Sequence, residues 1–229
     1  MDSAHVSLVS LQLNESGFEQ YRCDKNITLG INLTDFAKIL KMAQNDDVVT
    51  LKADEDNSFL NIIFDNKSKI FLILEIEKSA EFNLNLLTLD AESLGIPDTE
   101  YPTHIRMSSS EFVRLCRDLT QLAECVRIEV EDKTATFSYQ GKAGAGRIKM
   151  KKNNAEKTED QIEIKCDEQV NSNYGLQYLN SFSKASSLSN QVTLYLSSQF
   201  PLMIEYEIEN MGYVKFYLAP KMDDDATDK

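Results

Sequence analysis

Four basic residues occupy matching positions in two segments with helical spacing. Lys38 and Lys41 lie opposite the apolar face of the first segment, and Arg114 and Arg117 take the same positions in the second. Basic side chains presented in this way can contact the phosphates of a nucleic acid without reading its sequence. Solvated residues on an exposed helix face are the alternative, and a single pair would favour that alternative. The repetition of the pair at matching positions weakens that alternative, and a phosphate-binding face stays open beside it.

The residue types that metal binding and catalysis require show no recognisable spacing. The two histidines, His5 and His104, are too few for a histidine-based metal site, and the four cysteines form no C-x-x-C pair. The Gly-Ala-Gly stretch at 144–146 is too short for a phosphate-binding loop. Cys116 falls on the apolar face of its helix, where thiols are usually unreactive. An enzyme is therefore disfavoured, and no cofactor is expected.

Composition limits the class of protein further. The chain has 229 residues, with 24 Lys+Arg against 37 Asp+Glu and a net charge of −13. One or two globular domains fit this length, and 42% hydrophobic with 27% charged residues is ordinary for such domains. The longest apolar run, 70–74, is too short to span a bilayer, and no secretory leader opens the sequence. We expect a soluble intracellular protein with reduced cysteines.

Alternation of apolar and polar residues with period two runs through most of the chain. It is clearest at 126–131, at 192–197 and in a hairpin at 204–218 that turns at 210–212. Strands with one wet face and one core face are typical of antiparallel sheets. The sequence therefore predicts a mainly β protein.

Three helical segments interrupt these strands. The first begins at Thr34, the second at Ser108 with a spacing to Glu111 that suits a capping box, and the third, at 178–184, lacks the two cations. Each helix is followed by alternating strands, which indicates a repeated unit. The region after residue 102 holds two units and the region before it holds one, so we expect the first unit to be missing ahead of Met1.

The predicted domain boundaries follow from a change of composition at 86–102. This segment has two prolines, one glycine and no cation, and it is expected to be an extended connector between domains. Its apolar residues Leu94, Ile96 and Tyr101 need a cover, either the protein's own surface or a partner. We expect an incomplete N-terminal domain over 1–85, a C-terminal domain over 103–222 and an acidic solvated tail over 223–229.

Six segments, spread in order over nearly the whole chain, carry a family resemblance. They are 1–9 (MDSAHVSLV), 17–24 (GFEQYRCD), 38–41 (KILK), 93–97 (SLGIP), 116–119 (CRDL) and 217–221 (YLAPK). With these segments the chain resembles proliferating cell nuclear antigen, the eukaryotic DNA sliding clamp. The resemblance implies an α+β DNA-clamp fold, with two similar domains of antiparallel sheets and helices lining the inside of a trimeric ring. It also implies a nuclear, non-enzymatic homotrimer that encircles double-stranded DNA and tethers DNA polymerase, the clamp loader and other replication and repair proteins.

The resemblance implies roles for three sets of residues. The DNA-facing set is Lys38, Lys41, Arg114, Arg117 and Lys184. The set that binds partner peptides is Met1, His5, Val6, Leu8, Leu94, Gly95, Ile96, Pro97, Tyr101, Pro201, Ala219 and Pro220. The subunit interface joins edge strands at 81–86 and 144–150, through Phe82, Leu84, Gly144, Gly146 and Ile148. Each of the last two sets has an alternative. The apolar residues of the connector could pack on the protein's own surface instead of on a partner peptide, and the two edge strands could be ordinary strands paired within one domain.

Three features depart from the family pattern. The opening strand and helix are absent, and the stretch at 69–76 is longer and more apolar than the polar loop expected there. Loss of a first exon and retention of intron sequence in the gene model would explain both, which transcript sequencing can test. Asp132 stands where eukaryotic clamps carry the lysine that ubiquitin modifies, and Lys133 is next to it.

The alternative function is a monomeric, acidic peptide-binding adaptor without DNA contact.

Overall fold

The computed structural model describes residues 4–53, 58–70, 74–88, 99–153 and 161–221. The chain forms two compact units, which we call the larger unit (Met1–Tyr21 with Asp98–Lys229) and the smaller unit (Arg22–Pro97). No helix among the described residues is long and apolar enough to cross a membrane. The predicted tail at 223–229, Met1 and most of the predicted connector, 89–98, lie outside the described residues.

Antiparallel strands dominate the described residues, as the period-two alternation predicts. In chain order they are β1 (Ser7–Leu13), β2 (Val48–Lys52), β3 (Phe59–Ile70), β4 (Leu74–Asn85), β5 (Thr103–Ser108), β6 (Cys125–Glu131), β7 (Thr134–Gly141), β8 (Gly144–Lys151), β9 (Glu163–Cys166), β10 (Val170–Gly175), β11 (Gln191–Leu196), β12 (Leu202–Ile208) and β13 (Gly212–Leu218). The helices are α1 (Leu33–Leu40), α2 (Ser109–Thr120) and α3 (Leu176–Phe182), and a 3₁₀ helix, Ser183–Ser187, continues α3. This is the α+β architecture expected from the sequence.

Local capping explains where the first two helices begin. The side chain of Asn32 accepts hydrogen bonds from the backbone N–H groups of Thr34 and Asp35, at 3.0 and 3.2 Å. The hydroxyl of Ser108 accepts from the N–H of Glu111 at 3.2 Å, as the capping spacing predicts. These side chains satisfy N–H groups that have no partner inside the helix.

The larger unit contains two sheets and one continuous apolar core. Its six-stranded sheet has the order β1-β13-β12-β11-β5-β9, and its four-stranded sheet has the order β10-β6-β7-β8. Helices α2 and α3 pack against each other, and both contribute to the core that these sheets share. The alternating residues Val126, Ile128 and Val130 of β6 are 0–1% exposed because β10 and β7 flank the strand on both sides.

The smaller unit has a thinner core and one uncovered strand. Its sheet has the order β2-β3-β4, and α1 packs on Leu60, Ile62, Phe64 and Leu84, although no residue of α1 is itself buried. Val49 and Leu51 of β2 point to the core face, yet they are 44% and 49% exposed. Among the described residues β2 pairs with β3 alone, which explains the difference from β6.

Strand β1 pairs with β13 over its whole length, from Ser7 opposite Leu218 to Leu13 opposite Gly212. Residues 1–21 therefore group with the larger unit, whereas the predicted boundaries assign them to an N-terminal domain over 1–85. The pairing connects segments from opposite ends of the sequence, which periodicity cannot reveal. The predicted domain boundaries stay a prediction.

Candidate functional site

Three of the predicted DNA-facing residues lie on the helical layer of the larger unit. Arg114 and Arg117 are exposed on α2, opposite its buried residues Phe112, Leu115, Cys116 and Leu119. Lys184 is exposed on the 3₁₀ helix that follows α3 and packs beside α2. The arrangement leaves all three cations open to a ligand in solvent.

Lys38 and Lys41 belong to the smaller unit. Lys38 is exposed in the last turn of α1, and Lys41 is exposed at the residue that caps the helix C-terminus. Cations in the last turn of a helix also interact favourably with its dipole. Each unit thus presents its own pair of basic residues on an exposed helix surface.

Acidic neighbours accompany these cations. Lys38 Nζ lies 2.8 Å from Asp35, Arg114 lies 2.8 Å from Glu111, and Arg117 lies 3.1 Å from Asp118. The hydrogen bond that Arg114 donates to the carboxylate of Glu111 raises the pKa of Arg114. These pairs are exposed to solvent, where ion pairs are weak and screened by salt. Phosphate oxygens can therefore replace the carboxylates without a large cost in stability.

A second group of predicted residues meets at one end of the six-stranded sheet, which we call the sheet end. It is the end where β1, β12 and β5 begin and where β13 and β11 finish. Here the N–H of Ala219 donates a hydrogen bond of 2.9 Å to the carbonyl of Val6. The Tyr101 hydroxyl donates to the carbonyl of Pro201, also at 2.9 Å. Five predicted residues that are distant in sequence thus lie together at the sheet end. They are Val6, Leu8, Tyr101, Pro201 and Ala219.

Tyr101 is held in an aromatic environment at the sheet end. Its ring centroid lies 5.9 Å from that of Tyr195 and 6.2 Å from that of Phe200. Burial, followed by the negative charge that Tyr217 and Tyr174 would carry, raises the pKa of Tyr101 to about 12. The phenol therefore keeps its proton and acts as a hydrogen-bond donor at neutral pH.

Sequence analysis missed Phe200 as a candidate binding residue. It is 38% exposed although it is large and apolar, and it directly precedes Pro201 in a polar turn. A lone aromatic residue within the Ser-Ser-Gln-Phe-Pro stretch was the available signal. His5 is also exposed, with a positive φ of 56° that few non-glycine residues adopt. Met1 and the predicted residues Leu94, Gly95, Ile96 and Pro97 lie outside the described residues.

The two predicted interface segments are edge strands in the described part of the chain. Strand β4 ends the three-stranded sheet, and β8 ends the four-stranded sheet. Leu84 is buried in the core of the smaller unit, and the Phe82 ring contacts Phe64 with centroids 5.5 Å apart. Their side chains therefore serve their own unit, and what β4 offers a neighbour is its backbone edge and its outward polar residues.

The presence of glycine at two positions of β8 is explained by contacts and backbone geometry within the larger unit. A Cβ at Gly146 would lie 2.7 Å from the ring of Tyr139, its cross-strand partner. Gly144 has a φ of 139° in the turn between β7 and β8, a conformation that favours glycine. Close approach of a second subunit is therefore not needed to explain either residue. Ile148, by contrast, is 37% exposed on the strand.

Two other sequence-based interpretations can be placed on the structure. Cys116 is buried on the apolar face of α2, as predicted, and this burial raises the pKa of its thiol to about 12. Asp132 and Lys133 form the exposed turn between β6 and β7, so the ammonium group of Lys133 is accessible to a modifying enzyme. Among the described residues no group of three or more His, Cys, Asp or Glu is placed to hold a metal ion.

Two family models match this sequence. The model of the proliferating cell nuclear antigen N-terminal domain matches residues 1–93, and that of the proliferating cell nuclear antigen C-terminal domain matches residues 95–221. The second match alone spans more than half of the 229 residues. The boundary between the two matches falls inside the connector predicted at 86–102.

Proposed function

This chain belongs to the proliferating cell nuclear antigen family, a family of DNA sliding clamps, and from that membership we propose that it encircles duplex DNA and tethers DNA polymerase and other replication and repair proteins. Family members are clamps and not enzymes, and we assign no reaction to this chain. Such a role places the protein in the nucleus, where its template lies. The observation that supports a DNA contact most directly is the pair of exposed cations at the end of α1, Lys38 and Lys41, together with the matching pair on α2, Arg114 and Arg117.

The distribution of charge supports a DNA contact despite the net charge of −13. Arg114, Arg117 and Lys184 are all exposed on the helical layer of the larger unit. Phosphate contacts made by lysine and arginine carry no sequence information, which a clamp that moves along DNA requires. The exposed carboxylates beside these cations keep the contacts weak and exchangeable, as sliding also requires.

The charges of the two edge strands support head-to-tail assembly into a ring. The outward face of β8 carries Arg147, Lys149 and Lys151, all exposed. The outward face of β4 carries Glu81, which accepts a hydrogen bond of 2.6 Å from Asn61. Pairing β4 of one subunit with β8 of the next would join opposite charges and satisfy two exposed edges. A three-fold ring closes such a heterologous contact.

The sheet end supports the tethering of partner peptides. The Tyr101–Pro201 and Ala219–Val6 hydrogen bonds fix its backbone, while Phe200 remains exposed beside them. A rigid surface with an exposed aromatic ring and nearby apolar residues, like the sheet end, suits peptides that anchor through aliphatic or aromatic side chains. We assign the clamp-binding peptides of polymerase and clamp loader to this surface.

The experiment has two measurements on the full chain. Size exclusion with light scattering should give three times the 26.0 kDa chain mass. Primer extension on circular DNA with a clamp loader should then show processive synthesis, which the variant Lys41→Glu/Arg117→Glu should lose while keeping its trimer mass. Lys165→Glu is the matched control, because Lys165 is an exposed, ion-paired cation on a strand, 2.7 Å from Asp167.

The proposal would be overturned if the chain is a monomer that binds clamp-binding peptides and if primer extension is the same with the parent chain and with Lys41→Glu/Arg117→Glu. That result would support the peptide-binding adaptor, whose motivation is the acidic net charge. Equal loss in Lys165→Glu and in the helix variant would likewise argue against a specific role of the helical cations.

A further inference from the structure

The thiol of Cys125 meets the side-chain amine of Lys221. Lys221 Nζ donates to Cys125 Sγ at 3.1 Å, although the two residues are 96 positions apart. Cys125 is the first residue of β6, and Lys221 follows the last strand, β13. Cys125 is half-buried and Lys221 is exposed, so small solutes can reach both groups from solvent.

Neighbouring backbone holds this contact in place. The N–H of Lys221 donates to the carbonyl of Asn173 at 2.8 Å, which anchors the lysine on β10. Within the β10–β6 pair, Gly175 is the residue opposite Cys125. The lysine stem runs beside Gly175: Lys221 Cε lies 3.8 Å from the place that a Cβ would occupy, which is an ordinary van der Waals distance. The lysine is thus fixed at its backbone and guided to the sulfur.

The other cysteines have different surroundings in the described part of the chain. Cys116 is buried in the core. The thiol of Cys166 donates to the carbonyls of Glu168 and Val130, at 3.4 and 3.7 Å, and that of Cys23 donates to the carbonyl of Lys25 at 3.1 Å. Cys125 is therefore the cysteine placed next to a nucleophilic nitrogen.

We propose that Cys125 and Lys221 form a reversible sulfur–nitrogen bridge when the protein meets hydrogen peroxide. Cys125 Sγ attacks one peroxide oxygen, the O–O bond breaks and the thiol hydrogen leaves with the other oxygen, so the products are a sulfenic acid and water. The Lys221 nitrogen, after giving one proton to solvent, then attacks the sulfur and forms an S–N bond; the S–O bond breaks, and the hydroxyl takes a hydrogen from the nitrogen and leaves as a second water. The thiol loses two electrons to the peroxide, and the protein loses two hydrogens in total.

Thiols reverse the reaction, because two of them restore the cysteine and the amine and become a disulfide. In the bridged form, the segment that carries Ala219 and Pro220 is tied covalently to β6. The bridge is independent of DNA and partner binding, so it can be tested on the isolated chain.

The test is mass spectrometry of the folded full chain after treatment with hydrogen peroxide and blocking of free thiols. The expected result is an intact mass lower by two hydrogens before blocking, one fewer blocked thiol afterwards, and a digest containing one linked peptide that joins residues 125 and 221. Dithiothreitol should release it. Cys166→Ser should form the bridge as well as the parent chain does, whereas Cys125→Ser and Lys221→Arg should not, since arginine keeps the charge but is a poor nucleophile.

Oxidation of Cys125 to a stable sulfenic or sulfinic acid without a linked peptide would overturn the proposal. So would a disulfide from Cys125 to another cysteine, or the same loss of mass in Lys221→Arg. The presence or absence of the 125–221 linked peptide in the parent chain is decisive by itself, so the test stands even where a variant folds poorly.

Discussion

The phenol of Tyr101 donates a hydrogen bond of 2.9 Å to the backbone carbonyl of Pro201. Tyr101 comes just before β5 and Pro201 just before β12, and β11 lies between these two strands in the sheet. The bond therefore joins strands that are not neighbours and braces the sheet end across β11. Both residues belong to the set predicted to bind partner peptides, so the surface has a rigid frame before any peptide arrives.

Replacing Tyr101 by phenylalanine keeps the ring and removes this bond. We expect Tyr101→Phe to lower the free energy of unfolding by about 1 kcal/mol, the usual worth of one such hydrogen bond. Urea denaturation measures the change. Tyr213→Phe is the control, because its hydroxyl contacts Gln12 at an exposed position. If Tyr101→Phe is as stable as Tyr213→Phe, the brace contributes nothing.

Alkaline pH should destabilise the larger unit. Burial raises the pKa of Tyr101 to about 12 and also raises the pKa values of Tyr174 and Tyr195 above 10.0. The folded chain then holds these protons more tightly than the unfolded chain, so their stabilisation is complete below pH 10.0 and is lost as pH rises towards 12. Urea midpoints should fall above about pH 10 and fall less in Tyr101→Phe. A pH-independent midpoint in that range would contradict this account.

Charge reversal on the edge strands should weaken self-association. Lys149→Glu places an acid on β8 where the proposed neighbour presents Glu81, and Glu81→Lys reverses the other side. Each single change should raise the dissociation constant of the assembly about two- to five-fold at low salt, since exposed charge pairs contribute little. The double variant should recover. Light scattering across a dilution series measures this, with Lys142→Glu in the β7–β8 turn as control; additive losses in the double variant would exclude the pairing.

Replacing Gly144 or Gly212 by alanine should distinguish the cost of backbone strain alone from the cost of strain combined with a steric clash. Both have positive φ, 146° and 139°, but a Cβ at Gly212 would lie 2.0 Å from the carbonyl oxygen of Gln12, whereas one at Gly144 meets no atom within 4 Å. Gly144→Ala should therefore cost roughly 1 kcal/mol from strain. Gly212→Ala should cost about 1–3 kcal/mol more and loosen β1. Urea denaturation and limited proteolysis within β1 test both, and equal costs would show that the β1–β13 register is wrong.

The same substitution should have different effects on β2 and β6. Val49 on β2 is 44% exposed, and Val126 on β6 is 1% exposed. Val126→Thr buries a hydroxyl and should lower the free energy of unfolding by about 1–3 kcal/mol. Val49→Thr should change it by less than about 0.5 kcal/mol and should reduce aggregation during concentration. Similar losses at both sites would mean that β2 is covered in solution.

Local features of the fold were accessible from the sequence. The Ser108–Glu111 spacing predicted the cap of α2, and alternation predicted the buried Val126, Ile128 and Val130 of β6, because both depend on residues close together in the chain. The family resemblance assigned Tyr101 and Pro201 to the same set of residues, and the structure shows a hydrogen bond that joins them.

Features that depend on distant partners were not accessible. Alternation shows that β1 has two faces but not that β13 is its neighbour, so this pairing could not be predicted from the sequence. Gly146 illustrates the same limit: the ring of its cross-strand partner Tyr139 lies where a Cβ would be, a contact that spacing along the chain does not reveal. Phe200 was overlooked because a single aromatic residue in a turn has no periodicity.

The β1–β13 pairing has a consequence for the order in which this chain can fold during synthesis. Gln12 and Tyr213 contact each other across 201 positions, so β1 leaves the ribosome long before its partner exists. Until then its exposed Val9, Leu11 and Leu13 have no strand beside them, and closing so large a loop is slow. The six-stranded sheet therefore cannot be completed at β1 until β13 has been synthesised, and these apolar side chains stay without a neighbouring strand during that interval, which favours aggregation of the nascent chain.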